Sequence, residues 1–275
     1  MFRLQEPLPT REEQLLQDLR QWLNAQSSLC VAYSGGVDST LVAAIAFEAK
    51  GDAALAVTGV SPALAPHLLQ EARDQASWIG IAHRECATAE LQDPDYSRNP
   101  EDRCFACKRE LHRHLQPIAE EAGDALVIDG VNLDDLGDHR PGIEAARQAG
   151  VRSPLAELSI DKTAIRLLSK ALGFPWWDKP AQPCLASRFP YGETISADRL
   201  RRVGQAEAWL LSRGFSRVRV RIQGLAARIE VPEDRLQDVL DLSRGDALVQ
   251  AFLSLGFTSV NLDLEGLVSG KLNRR

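Results

Sequence analysis

Three cysteines and one glycine-rich turn are the features of this 275-residue chain whose types and spacing suit chemistry. Cys184 sits in QPCLASRFPYG (182–192), between a proline and a Ser-Arg pair, in what reads as a loop. Cys104 and Cys107 form a Cys-x-x-Cys pair in RCFACK. A thiolate is both a nucleophile and a soft metal ligand. An odd total of five cysteines argues against a disulfide framework and for metal, redox or nucleophilic roles. A Cys-x-x-Cys pair with a distant third cysteine suits a [4Fe–4S] cluster on Cys104, Cys107 and Cys184. Two alternatives stand beside it. One is zinc, with His112 or His139 completing the set. The other is a plain redox pair, with Cys107 at a helix start. Cys30 and Cys86 lie among apolar neighbours in predicted strands and read as buried structural residues.

The second feature is SGGVDS (34–39), between an apolar run, LCVAY, and a helical pattern that starts near Asp38. Gly35 and Gly36 let the backbone approach an anion, and the helix start supplies unpaired N–H groups. Ser34, Ser39 and Thr40 add hydroxyls. The sequence holds no GxxxxGK[ST], so its pattern does not support γ-phosphoryl transfer. A third feature is FSRVRVRI. Val218, Val220 and Ile222 alternate there with Arg217, Arg219 and Arg221, which puts three guanidinium groups on one face of a strand. Such a row fits a carboxylate- or phosphate-bearing ligand; the alternative is an exposed edge made soluble by charge. Glu207, on the helix before it, either orients these arginines or faces solvent. Ser187 and Arg188, beside Cys184, are candidate contacts for a substrate or an adenylate phosphate.

These residues need a scaffold that the rest of the sequence describes. Thr10 and Glu13 fit a capping box for a helix over 11–24. Strands are predicted at 29–33, 53–60, 81–86 and 125–130, with helices between them from Asp38, at 66–80 and over 107–123, and another at 142–150. This alternation predicts an α/β fold, a doubly wound parallel sheet whose ligand crevice lies at the carboxyl ends of the strands. SGGVDS and DGVNLDD (129–135) emerge at that edge; DGVNLDD reads as part of the site, or else as a polar turn capping a helix. Beyond about residue 190 the rhythm becomes helix, two strands, helix and strand. The division is therefore 1–190 for the α/β domain and 191–275 for a small α+β domain, which carries the arginine row and is expected to bind substrate. The formal charge of −6 argues against a nucleic-acid partner, although 188–221 carries eight arginines against three acids. No apolar run is long enough for a membrane span, and MFRLQEPLPTREEQ lacks the core of a signal peptide, so a cytoplasmic protein is expected.

SGGVDS after a first strand resembles the PP-loop of the N-type ATP pyrophosphatases, which cleave ATP between the α- and β-phosphates and adenylate a substrate. Taken in order, RCFACKRELH, DGVNLDD, PCLASRFPYGE and FSRVRVRIQGLAARIEV narrow the resemblance to the LarE family of ATP-dependent sulfur transferases, over nearly the whole chain. The resemblance implies a pyridinium mononucleotide as substrate, each of its two carboxylates being adenylated and converted to a thiocarboxylate for a nickel-pincer cofactor. ATP and Mg²⁺ are then the implied ligands. Asp38 would position the metal, Ser34, Gly35, Gly36 and Ser39 would hold pyrophosphate, and Thr58 and Gly130 would lie against the nucleotide. Ser187, Arg188, Glu207, Arg219 and Arg221 would form the substrate side. The resemblance also implies a trimer or hexamer. Sulfur comes either from Cys184 itself, sacrificed by cleavage of its Cβ–S bond, or from a cluster on the three cysteines fed by a sulfide donor. Rival readings are a tRNA-thiolating PP-loop enzyme, an ammonia-using synthetase, and a nucleotide-binding sensor with a structural metal.

Overall fold

In the computed structural model, residues 2–137, 141–268 and 271 are described, and His139 lies outside them. The chain divides into two compact units. One comprises 1–61, 66–90 and 102–182; the other comprises 62–65, 91–101 and 183–275. Residues 183–190, assigned to the α/β half from sequence, cluster with the second unit and carry Cys184, Ser187 and Arg188 into it.

The first unit runs α1 (Thr10–Asn24), β1 (Leu29–Ala32), α2 (Val37–Lys50), β2 (Ala54–Val60), α3 (Pro66–Ile79), β3 (Ala82–Ala87), α4 (Arg103–Glu121), β4 (Leu126–Ile128), α5 (Pro141–Gln148) and α6 (Lys162–Ala171). Its four strands are all parallel, in the order β3-β2-β1-β4, with Leu29 opposite Ala54 on one side and Leu126 on the other. Alternation along β1 explains how both faces are covered. Leu29 and Val31 join a core with Leu16 and Leu19 of α1, Leu41 and Ile45 of α2, and Leu168 of α6. Cys30 and Ala32 face the other way, onto Leu115 and Ala119 of α4 and Ala146 of α5. Each fully buried aliphatic side chain contributes about 1.5–3 kcal/mol. The sheet is therefore doubly wound, and its strand order places the end of β1 beside the end of β4, the position at which open α/β sheets bind their ligands.

Local details depart from the sequence reading. Pro9 occupies the cap position of α1 and no side chain caps it, so the Thr10 capping box does not form. Helix α4 begins at Arg103, four residues before the expected start, which takes both Cys104 and Cys107 into its first turns. Helix α6 has no counterpart among the expected elements. It starts from an N-cap, Asp161, whose carboxylate accepts the Ala164 N–H at 2.8 Å, and it buries Ile165 and Leu168.

The second unit contains α7 (Ala197–Leu211), β5 (Arg219–Gln223), β6 (Ala226–Glu230), α8 (Leu236–Ser243), the unexpected α9 (Ala247–Ser254), and β7 (Ser259–Leu262). Its sheet has the order β5-β6-β7, with β5 and β6 antiparallel and β6 and β7 parallel. Strand β5 starts at Arg219, so Arg217 lies outside it, and the expected row of three arginines is a pair. The segment 91–101 is held to the stretch after Cys184 by hydrogen bonds. Asn99 Nδ2 donates to the Pro190 carbonyl at 2.6 Å, and the Gly192 N–H donates to the Asn99 carbonyl at 2.9 Å. Among the described residues, no helix is long and apolar enough to cross a membrane.

Candidate functional site

The glycine-rich turn leaves β1 and enters α2 with Ser34 exposed, Gly35 buried and Gly36 half-buried. Gly35 has φ of +68°, and a Cβ there would sit 2.9 Å from the Ala72 Cβ, so both its conformation and its neighbour require glycine. Gly36 caps α2 without any side-chain hydrogen bond, which leaves the helix's first N–H groups to an anion. The two serines brace the turn from inside. Ser39 Oγ accepts the Ser34 N–H at 3.2 Å and donates to the Gly36 carbonyl, while Ser34 Oγ accepts the Gly36 N–H at 3.3 Å. Gly130 presses backbone to backbone on the same turn: a Cβ there would be 2.6 Å from Ser39 N. Its role in this structure is to let the loop after β4 abut the start of α2.

Two lysines that sequence reading missed complete this site. The Lys162 ammonium stands 2.6 Å from both carboxylate oxygens of Asp38. Lys179 Nζ donates to the Gly35 carbonyl at 3.0 Å and pairs with Glu71. They stand 124 and 144 positions from their partners, beyond the reach of any local spacing rule. Asp134, weighed as a site residue, instead accepts the backbone N–H of Lys162 at 2.9 Å and so helps cap α6. Asp135 accepts the Asn132 N–H at 3.1 Å. Asp129 is buried; burial raises its pKa, and hydrogen bonds from Ser153 Oγ at 2.7 Å and the Val131 N–H oppose the rise.

Thr58 is 3% exposed. Its hydroxyl donates to the Tyr33 carbonyl at 2.9 Å, so the 2.8 Å contact with His83 has Nε2 as donor. Thr58 thus ties β2 to the end of β1 and to β3. Burial holds the His83 pKa below its ordinary value, which suits a neutral ring in this contact.

All five cysteines are thiols. Cys30 and Cys86 are buried, as their neighbours suggested, and burial pushes the Cys30 thiol up to about 12. Cys104 is exposed and Cys107 half-buried, three residues apart on α4 and therefore on one side of it. Their donor chemistry fits a cluster or another thiophilic metal. His112 does not complete a zinc set with them: it is 5% exposed, and both its ring nitrogens are enclosed without a hydrogen-bond partner. Among the described residues, no three His, Cys, Asp or Glu side chains gather to hold a metal ion. Asp38 does have the character of a cation site, since its partly exposed carboxylate is met by the Lys162 ammonium.

In the second unit, Cys184 is exposed at the start of a 3-10 turn (Leu185–Arg188), with its carbonyl accepting the Ser187 N–H at 3.0 Å. Beneath it, Arg188 is 6% exposed and clamps the turn. Its Nη1 donates to the Pro183 carbonyl at 3.0 Å and to Ser187 Oγ at 2.8 Å. Its Nε and Nη2 form a fork with Glu207 at 2.7 and 2.9 Å. Glu207 also accepts the Val220 N–H at 2.8 Å, so this carboxylate links α7, β5 and the cysteine turn. Arg221 pairs with the fully buried Glu230 at 2.5 Å and donates to the Ser187 carbonyl at 3.0 Å. Two of the site arginines therefore have internal partners, contrary to the expectation that the row awaits an external anion. Arg219 differs. It is half-buried and has no ion pair among the described residues. Burial, then the like charges of Arg188 and Arg221, pull its pKa below the ordinary value, with Glu230 and Glu207 opposing. An anion beside it would relieve that repulsion. A cleft of about 320 Å³ lined by Arg188, Arg221, Arg228 and Asn261 opens in the same unit.

No protein-family model matches the chain. It is 55% identical over 263 residues to the uncharacterized protein slr1717 of Synechocystis, covering 95% of this chain and 98% of that protein. It is 38% identical over 244 residues to pyridinium-3,5-bisthiocarboxylic acid mononucleotide synthase of Lactiplantibacillus plantarum, covering 88% of each. A glutamine-hydrolyzing GMP synthase of Methanococcus maripaludis is 25% identical in one of its subunits, over 59% of this chain and 55% of that subunit, consistent with a PP-loop fold in the first unit. A parallel sheet, a glycine-rich turn at its edge and a likeness that spans both units agree with one another, and the chain belongs to the LarE family, that of the pyridinium-3,5-bisthiocarboxylic acid mononucleotide synthases.

Proposed function

We propose that this enzyme activates the carboxylates of a pyridinium mononucleotide with ATP and converts them to thiocarboxylates. A substrate carboxylate oxygen attacks the α-phosphorus of ATP, pyrophosphate leaves, and the acyl-adenylate is then attacked by a sulfur nucleophile that expels AMP. The observation that carries this reading is the cysteine turn: an exposed Cys184 thiol on a backbone fixed from below by the buried Arg188–Glu207 fork. A rigid support of this kind suits a group that must meet one reacting carbon. In the other unit, Ser34, Gly35, Gly36 and Ser39 would cradle the leaving pyrophosphate and Asp38 would hold Mg²⁺, which neutralises developing phosphate charge when bound. Arg219, the arginine of the pair with no ion pair among the described residues, would take a carboxylate or phosphate of the substrate.

Cys104, Cys107 and Cys184 would hold a [4Fe–4S] cluster, whose fourth iron, lacking a protein ligand, supplies a sulfide position. The same three thiols without iron would leave Cys184 as the sulfur source. A small-molecule substrate, a cytoplasmic setting and assembly into trimers or hexamers belong to the same proposal, the last measurable by light scattering.

The test is anaerobic purification with iron and sulfide analysis on wild type and Cys104→Ala. It is followed by incubation with ATP, Mg²⁺ and the pyridinium dicarboxylate mononucleotide. AMP, pyrophosphate and a product with sulfur in place of carboxylate oxygen are the expected outcome. About four irons per chain, lost in the variant, support the cluster. No iron, with Cys184 lighter by the mass of H₂S after turnover, supports sacrifice. Normal sulfur transfer by Cys184→Ala would overturn the proposal.

A further inference from the structure

Lys162 makes an unusual contact for a lysine beside a nucleotide loop. Its ammonium bridges both oxygens of Asp38 at 2.6 Å, the position a divalent ion would take on that carboxylate. The stem is fixed: Lys162 is the first residue of α6, its N–H is held by Asp134, and the next turns bury Ala164, Ile165 and Leu168. The charged end is less confined, since the Lys162 and Asp38 side chains are 33% and 25% exposed. A lysine is a flexible point charge on four methylenes, free to swing where an arginine fork would be committed to its partner.

We propose that Lys162 is a tethered cation that occupies Asp38 in the nucleotide-free protein and yields it only when polyphosphate arrives. An ammonium and a divalent ion compete for one carboxylate face, because like charges a few ångströms apart repel even at the intermediate dielectric of a partly exposed site. A metal ion alone therefore has to displace Lys162 without compensation. A nucleoside triphosphate carrying the ion brings negative charge to which the ammonium can swing, so the pair opens and Lys162 becomes a phosphate contact. The consequence is ordered loading, with metal entering on the nucleotide and not before it. This inference rests on the reading of SGGVDS as a pyrophosphate loop.

The probe is Mn²⁺, followed by loss of its free EPR signal. It is titrated into wild type, Lys162→Met, Lys162→Gln and Asp38→Asn, with and without α,β-methylene-ATP, which cannot be cleaved at the bond in question. Without nucleotide, both lysine variants should bind Mn²⁺ at least about fivefold more tightly than wild type, the equivalent of ~1 kcal/mol for a partly exposed ion pair. The gain should vanish when Asp38→Asn is added to either. With the analogue the order should invert, the lysine variants holding Mn²⁺–nucleotide more weakly. Circular dichroism identifies which lysine variant is folded, and either one suffices. Nucleotide-free Mn²⁺ affinity within twofold of wild type in a folded variant, while the analogue binds normally, overturns the tethered-cation role alone. Failure of wild type to bind the analogue at all removes the pyrophosphate-loop reading itself.

Discussion

Replacing Glu207 by glutamine tests the clamp under the cysteine turn. The carboxylate accepts three hydrogen bonds, two from the Arg188 fork and one from the Val220 N–H, and both ionic side chains are almost fully enclosed. Glutamine has nearly the same shape but presents an amide NH₂ toward a donor, leaving Arg188 buried and uncompensated. Breaking one partner of such a pair costs about 3–5 kcal/mol. At roughly 2–4 °C per kcal/mol for a chain of this length, thermal unfolding should move down by about 6 °C or more. Site-resolved alkylation of Cys184, read by mass spectrometry, should change in rate as the Pro183 and Ser187 contacts of Arg188 loosen. The double variant Arg188→Met/Glu207→Leu separates stability from positioning. It removes both charges and should recover most of the lost stability, yet the cysteine turn keeps no donor for Pro183, so sulfur transfer should stay low. A loss below about 1 kcal/mol in Glu207→Gln, the range of a surface pair, would refute the clamp.

Three further outcomes follow from the same geometry. Gly130→Ala places a methyl 2.6 Å from Ser39 N, where only backbone can give way, and should cost about 1–3 kcal/mol and weaken ATP binding measured by calorimetry. Burial, then the nearby Lys108 charge, lowers the His112 pKa from 6.5 to about 4. The unfolded chain takes up a proton first, so stability is complete above about pH 6.5 and is lost as pH falls toward 4, by roughly 3 kcal/mol. Denaturant titrations of His112→Leu should lack this acid slope; an unchanged slope would assign it elsewhere. Iodoacetamide on the native protein should modify Cys104 and Cys184 first, Cys107 more slowly, and Cys30 and Cys86 only after unfolding.

The parallel sheet was legible because β1, β2 and β4 are apolar runs, while the edge strand β3 is mostly polar and exposed and was read from its place after a helix. SGGVDS was legible because it directly follows the first of those runs. What escaped the sequence was the partnering of charges. Arg221 and Glu230 sit nine residues apart on opposite sides of a hairpin, and Arg188 meets Glu207 across a helix, so two arginines that read as cations awaiting an anion in one dimension are paired in three. Lys162 and Lys179 are hard to see because their partners stand 124 and 144 positions away; α6 itself is short but clearly amphipathic, burying Ala164, Ile165 and Leu168 behind an Asp161 cap, a cue that the sequence reading passed over. Cys107 sits within α4 because Cys-x-x-Cys does not by itself interrupt a helix, which starts at Arg103 with no side-chain cap from Asp102.

The interleaving of the two units bears on how such a chain is made and remodelled. The polypeptide crosses between them five times, and the second unit borrows the four residues 62–65 and the eleven residues 91–101 from the first half. Those borrowed pieces supply the fully buried Asn99 and Tyr96, and Ala63, whose carbonyl accepts the Leu185 N–H at 2.8 Å next to Cys184. A ribosome will have released residues 62–65 and 91–101 long before Pro183 exists, so these two segments must wait for the rest of their unit to be synthesised. For the same reason, exchanging sulfur-handling halves between relatives by a single crossover near residue 182 would sever the cysteine turn from its own foundations. A working chimera would have to carry all three segments together.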